Sequence, residues 1–290
     1  MTAAPVLAPL DLNEDPGPAL LAAADLAERT GAALHLLHAR PVPRSYTAPS
    51  DPDAGFRARV EVSVDKVLGP GTCAALRPKI HLVHGDAPAH ATLALAERLR
   101  PQVIVLGTHG RRGFQRFMLG SVAEEVIREA TCPVLAVPHA AEHAWPSPDR
   151  PVIAATDLSD YGLLALRAAA EHAARYGAPL VALHVAQPEV IDVPGVYLVL
   201  GNPVEAADRA RSEAEAAVLR HVAEAGVEPN DVVITGGFPD EAIDRVARER
   251  RAGCIVMGTH GRTGLARAIV GSVTESALRG APCAVLAVRA

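Results

Sequence analysis

The chain has 290 residues, 49% apolar and 21% charged, with a formal net charge of −5 at neutral pH; that size suits one to three domains with a large core, and the acidic balance leaves no overall basic footprint for nucleic acid. No apolar run approaches the roughly 20 residues of a membrane span, and the start MTAAPVLAPLDLNEDP lacks the basic and long apolar regions of a secretory signal. Four cysteines (Cys73, Cys132, Cys254, Cys283) are too few and too scattered for a disulfide framework or a zinc site, so the cytoplasm is the expected compartment, with neither membrane nor nucleic acid as a partner.

In chain order, short apolar runs predict strands near 5–10, 33–39, 79–84, 102–107 and 133–138, separated by helical patterns. A polar, proline-bearing stretch then reads as a linker at 140–150. The same order follows again. The run PVIAAT at 151–156 reads as a strand, and Ser159 or Asp160 can cap the next helix. Arg167, Glu171 and Arg175 share one face of that helix, and Gly177 is a good stop. PLVALHV at 179–185 is the second strand. A loop with Pro188, Pro194 and Pro203 leads into an alanine-rich helix over about 204–225, whose apolar positions include Ala210, Ala214, Ala217, Val218 and Val222. Strands at 232–235, 254–258 and 283–288 alternate with helices at 239–250 and 272–279.

The recurrence is a duplication. The stretch 106–137 aligns without gaps with 257–288, and 8–39 aligns with 154–185. Residues 1–139 and 151–290 are therefore read as two copies of one domain rather than solenoid units. Buried parallel strands with helices on both faces imply an α/β doubly wound domain, with its ligand crevice outside the strand C-termini at the switch point.

The chemistry concentrates at those strand ends. Gly258-Thr-His-Gly261, nine residues, then Gly271-Ser272, is mirrored by Gly107-Thr-His-Gly110, nine residues, then Gly120-Ser121. Glycines can offer backbone N–H groups without a Cβ in the way, and a serine at a helix start adds a hydroxyl to the positive helix end, so the loops read as phosphate cradles. Arg262 and Arg111 can add charge, and His260 and His109 lie within the loops. The competing reading is equally physical: Ser272-Val-Thr-Glu275 and Ser121-Val-Ala-Glu124 are capping boxes, whose serines would serve only their own helices. Asp157 and Asp11, at the ends of the first strands, are either turn residues or ligand contacts. His184 and His38, inside second strands, read as satisfied core histidines. No lysine-bearing P-loop, dinucleotide fingerprint, Ser–His–Asp order or metal-spaced cluster is present. No catalytic residue and no protein metal ligand is assigned, and at most a slow ATPase is expected.

With these residues in view the chain resembles a tandem universal stress protein of the nucleotide-binding branch. The carrying features are G-x2-G-x9-G-[ST] in both halves, the first-strand aspartates in VIAATDLS and VLAPLDLN, second strands ending LHV or LHA, and the terminal runs CAVLAV and CPVLAV. The resemblance implies strand order 3-2-1-4-5 and an adenine nucleotide, usually ATP, sometimes with Mg²⁺. Carried over, the second repeat's binding positions are Ala155, Thr156, Asp157, Val185, Met257, Gly258, His260, Gly261, Gly271, Ser272, Val273 and Thr274, with Arg262 beside them. Those of the first repeat are Pro9, Leu10, Asp11, Ala39, Leu106, Gly107, His109, Gly110, Gly120, Ser121 and Val122, with Arg111. Leu10 and Ala123 stand where threonines are common, so the second repeat is expected to bind more tightly. The resemblance also implies a pseudo-dimer of the two repeats through their last strands, a homodimer of whole chains, and a stress or signalling role in which nucleotide biases conformation or partners. The alternative is a nucleotide-independent interaction scaffold with structural glycines.

Overall fold

The computed structural model describes residues 3–11, 17–40, 54–85, 87–108, 119–138, 145–186, 190–193, 196–199, 203–259 and 270–289. The chain divides into two units, Met1–His143 and Ala144–Ala290. No described helix is long and apolar enough to cross a membrane.

In the first unit, strands β1 (Val6–Pro9), β2 (Leu34–Arg40), β3 (Lys79–His84), β4 (Val103–Gly107) and β5 (Val134–Val137) form a parallel sheet. Its order is β3-β2-β1-β4-β5. Helices α1 (Gly17–Thr30), α2 (Ala54–Leu68), the short α3 (Thr72–Leu76), α4 (Pro88–Leu99) and α5 (Ser121–Glu129) connect the strands.

The second unit repeats this plan with β6 (Val152–Ala155), β7 (Leu180–Val185), β10 (Asp231–Thr235), β11 (Cys254–Gly258) and β12 (Ala284–Val288). All pairings are parallel and the order is β10-β7-β6-β11-β12, the expected 3-2-1-4-5. Helix α6 (Asp160–Tyr176) packs on α7 (Pro203–Ala225), and α8 (Pro239–Glu249) packs on α9 (Ser272–Gly280). The connections turn one way from β6 and the other way from β11. Right-handed crossovers then place the two helix pairs on opposite faces. A sheet covered on both sides needs apolar side chains pointing both ways, which is why β6 and β11 are continuous runs: Val152, Ile153, Ile255 and Val256 are all fully buried. Each such aliphatic side chain stabilises by roughly 1.5–3 kcal/mol relative to exposure.

Local signals end the elements where the sequence places them. Ser159 caps α6, its hydroxyl accepting from the Gly162 N–H at 3.3 Å, and Gly177 closes that helix at φ 60°. Gly226, at φ 68°, follows α7. One expectation fails between β7 and α7. The proline-bearing stretch read as a loop contains an antiparallel pair, β8 (Val190–Val193) and β9 (Val196–Val199). The prolines obscured two β-branched runs that pair with each other. In the second unit Pro146 is buried against β11's approach, so tightly that a Cβ on Gly253 would stand 2.3 Å from its nitrogen.

Candidate functional site

Between β6 and β11, where the chain connections diverge, the C-terminal strand ends of the second unit leave an open cleft of about 850 Å³. That is ample for a small organic ligand. Its floor is Ala155 at the end of β6 with Thr156 and Asp157 following it, Val185 at the end of β7, and Met257 and Gly258 of β11. Gly271, Ser272, Val273 and Thr274 form one wall at the start of α9. Ten predicted positions therefore converge on one cavity. His260, Gly261 and Arg262 lie outside the described residues, as do His109, Gly110 and Arg111 of the first repeat.

The floor is held by a chain of local bonds. The Thr156 N–H donates to the Leu183 carbonyl at 2.9 Å, and its hydroxyl accepts from the Leu158 N–H at 3.1 Å. Asp157 Oδ1 accepts from the Ser159 N–H at 3.1 Å and its hydroxyl at 2.5 Å. One carboxylate oxygen thus does the work of a turn residue while the side chain lines the cleft, so the two sequence readings of Asp157 are not exclusive. Leu158 is bent into the left-handed region at φ 66°, unusual for a large side chain and placed beside the cleft. His184 Nδ1 lies 2.8 Å from the Thr156 carbonyl. A carbonyl only accepts, so Nδ1 carries the proton and pins β7 to the end of β6. The core reading of His184 is half the answer, because the residue also lines the cleft.

The glycine loop is clasped at both ends. The Thr259 N–H donates to Val288, and the Thr259 carbonyl accepts from the Gly271 N–H at 2.9 Å. This corrects one expectation: the Gly271 N–H is spent on the loop itself. So is that of Gly120, which donates to Thr108 at 2.8 Å. The capping-box reading is also corrected. The N-caps of α9 and α5 are Gly271 and Gly120, without a side-chain capping bond, and Ser272 and Ser121 are the first helical residues. Among the described residues neither serine hydroxyl has a hydrogen-bond partner. The Glu275 N–H already bonds Gly271, leaving those of Ser272, Val273 and Thr274 as the outward-facing donors of the helix start. The Thr274 hydroxyl donates to the Gly258 carbonyl at 2.8 Å, fixing α9 to the end of β11. Three N–H groups, a free hydroxyl and a helix dipole fit an anion such as phosphate.

The first unit keeps the clasp and changes the surroundings. His38 Nδ1 reaches the Leu10 carbonyl at 2.8 Å, as His184 reaches Thr156. Leu10 and Leu106 are buried, Pro9, Asp11, Ala39, Gly120 and Val122 are half-buried, and Gly107 and Ser121 are exposed. Ala123 replaces Thr274, so α5 has no hydroxyl tether to β4. Phe56 of α2, 1% exposed, stacks on His38 with ring centroids 5.2 Å apart, covering a histidine whose counterpart faces the cleft in the second unit. A cleft of about 470 Å³ in the first unit lies instead among α2, β3 and α4 and touches none of the predicted positions.

Sequence reasoning missed the far wall. Ala206, Arg209, Ala210, Glu213, Ala214 and Ala217 of α7 line the cleft, joined by Pro239 and Ile243 of α8. The signal was present: the apolar face of α7 is alanine in its first half and acquires Val218 and Val222, both buried, only in its second. Sequence reasoning also passed over His221, behind the floor, which is 7% exposed with Nε2 lacking a hydrogen-bond partner among the described residues. Burial lowers its pKa, with Glu224, Asp157 and Asp160 pulling the other way. Among the described residues no group of three or more His, Cys, Asp or Glu side chains is arranged to hold a metal.

The chain matches the profile of the Universal stress protein family twice, over residues 3–138 and 150–289. Universal stress protein Rv2623 of Mycobacterium tuberculosis is 30% identical over 219 residues, 73% of this chain and 70% of the relative. Universal stress protein Rv2005c of the same organism is 32% identical over 195 residues, 65% of this chain; the match spans 62% of that relative's length. The crystal structure of a universal stress protein from Archaeoglobus fulgidus covers 100% of this chain and 99% of its own, with TM-score 0.64 at 24% identity, a likeness of fold.

Proposed function

The chain belongs to the universal stress protein family, and we propose that its second unit binds an adenine nucleotide, ATP with or without Mg²⁺, whose presence biases the protein's conformation or its choice of partner in the cytoplasm. One observation carries the reading: three unpaired helix-start N–H groups and the Ser272 hydroxyl open into the same 850 Å³ cleft as Asp157 and the ends of β6, β7 and β11. The helix start suits the phosphates and the half-apolar floor suits a base. Any Mg²⁺ would be held chiefly by phosphate oxygens and water, since the described lining supplies no carboxylate cluster.

Isothermal titration of nucleotide-free protein with ATP, with and without Mg²⁺, tests this. One strong site per chain is expected. The absence of binding at millimolar ATP would leave the interaction-scaffold reading in its place. The first unit binds more weakly in this proposal, because Phe56 and Leu10 crowd the floor and α5 lacks its tether. Hydrolysis is at most slow. Association of whole chains into a homodimer is part of the same reading and is checked by light scattering against the 30.2 kDa chain mass.

A further inference from the structure

The α7 wall lies beyond the strand ends and glycine loop on which that reading rests. Ala206, Arg209, Ala210, Glu213, Ala214 and Ala217 recur at three and four and so share one face. The alanines end at Cβ and leave the cleft wide, whereas Arg209 and Glu213 are the long side chains of that face. Arg209 is the only cation among the described lining residues. Among the described residues it has no hydrogen bond or ion pair, although Glu213 stands four residues on. Elsewhere in this chain that spacing closes: Arg245 meets Glu249 in the same order at 3.7 Å, and Arg248 meets Asp244 at 2.9 Å. The pair on α7 is therefore uncommitted and faces a cavity.

We propose that Arg209 binds the phosphate chain of the nucleotide from the wall opposite the α9 helix start, and that Glu213 accepts hydrogen bonds from the ribose hydroxyls. The inference rests on the nucleotide reading above and adds two binding residues to it. Helix α7 follows β7 and packs back along β7 and β10, so Glu213 lies one turn, about 6 Å, deeper than Arg209. A carboxylate repels phosphate and accepts from hydroxyls, while a guanidinium attracts it. The order of the two charges thus sets the ligand's direction, sugar inward and phosphates toward the mouth.

The experiment compares wild type, Arg209→Met and Glu213→Gln by calorimetry with adenosine, ATP and 2′,3′-dideoxy-ATP, after thermal melts show each variant folded. Arg209→Met is expected to weaken ATP about tenfold, the loss of a charge-assisted hydrogen bond, while leaving adenosine within about twofold. Glu213→Gln keeps an acceptor but loses its charge, so it is expected to weaken adenosine and to narrow the preference of wild type for ATP over its dideoxy form. Equal losses on adenosine and ATP in Arg209→Met, or no loss on either, overturn the role of Arg209. Wild type binding neither ligand overturns the nucleotide reading itself, and this inference with it.

Discussion

Gly162 is the third residue of α6, and its missing side chain is what allows the floor of the cleft to form. A Cβ there would lie 2.4 Å from Thr156 Oγ1, 3.1 Å from His221 Nε2 and 3.3 Å from Asp157 Oδ1. The first distance is about 1 Å inside van der Waals contact. The Thr156 hydroxyl has little room to yield, because it holds the Leu158 N–H. In Gly162→Ala the overpacking costs about 1–3 kcal/mol and the lost Thr156 bond about 0.5–1.5 kcal/mol. Alanine returns at most about 1 kcal/mol of helix propensity. The net expectation is destabilisation by about 1–3 kcal/mol, a fall in Tm of about 3–9 °C for a unit of this size. Thermal melts by circular dichroism measure it. The same change made in a Thr156→Ala background, which removes the obstructing oxygen, should cost less, so in the double-mutant cycle the double variant loses less stability than the sum of the two single variants. A Tm that rises, as for an ordinary glycine on a helix surface, or strict additivity with Thr156→Ala, would refute the argument.

Thr274→Val keeps the shape of a residue only 4% exposed and removes its bond to Gly258; a loss of about 1–2 kcal/mol in urea unfolding is expected, with weaker ATP binding as the start of α9 loses its anchor. Burial raises the Cys132 thiol to about 11 and Cys283 to about 12, and Cys254 is pushed well above its ordinary value. At pH 8 these thiolates are populated at about one in a thousand or less, so a disulfide reagent should react with them slowly in native protein and with all four free cysteines in denaturant. In the first unit His81 Nε2 and His35 Nδ1 are 3.0 Å apart, a bond that needs one proton and one lone pair. Burial first lowers both pKa values, followed by His81 and Lys79 at His35 and by Arg98, Lys79 and Arg57 at His81. The unfolded chain then binds more protons below about pH 6.5, so stability falls as pH drops from 7 to 5, and His81→Gln should flatten that slope in urea melts.

The strands and the duplication were legible from strong local signals, namely apolar β-branched runs, strand-end aspartates and glycines at fixed spacing, whereas the strand order and the floor positions came from the family resemblance those signals carry. What the sequence could not separate were residues whose types serve two purposes. Ser272 followed by Glu275 looks like a capping box, yet the chain enters α9 one residue earlier, at Gly271, and the hydroxyl is left over. The Gly271 N–H looked available to a ligand, but its partner, the Thr259 carbonyl, is twelve residues back and becomes visible only when the loop closes. Ala210, Ala214 and Ala217 have the period of a core face, and their period is right; nothing local says that the space before them is empty. Leu158 offers no sign of its positive φ, which arises from the Thr156 and Ser159 bonds on either side of it.

The bond between the Thr259 carbonyl and the Gly271 N–H separates two jobs that the glycine motif seems to join. Thr259, directly after β11, and Gly271, at the start of α9, are joined by this bond, so both belong to the scaffold whatever lies between them in sequence. Lengthening such a loop costs little, about 0.6 kcal/mol for each doubling. The helix-start donors of α9, set by Gly271 and the Thr274 tether, keep their position through such a change. The two repeats already differ in this interval, GRRGFQRFML against GRTGLARAIV, while both retain the clasp. The interval is therefore where this architecture can acquire new recognition without rebuilding the helix-start cradle.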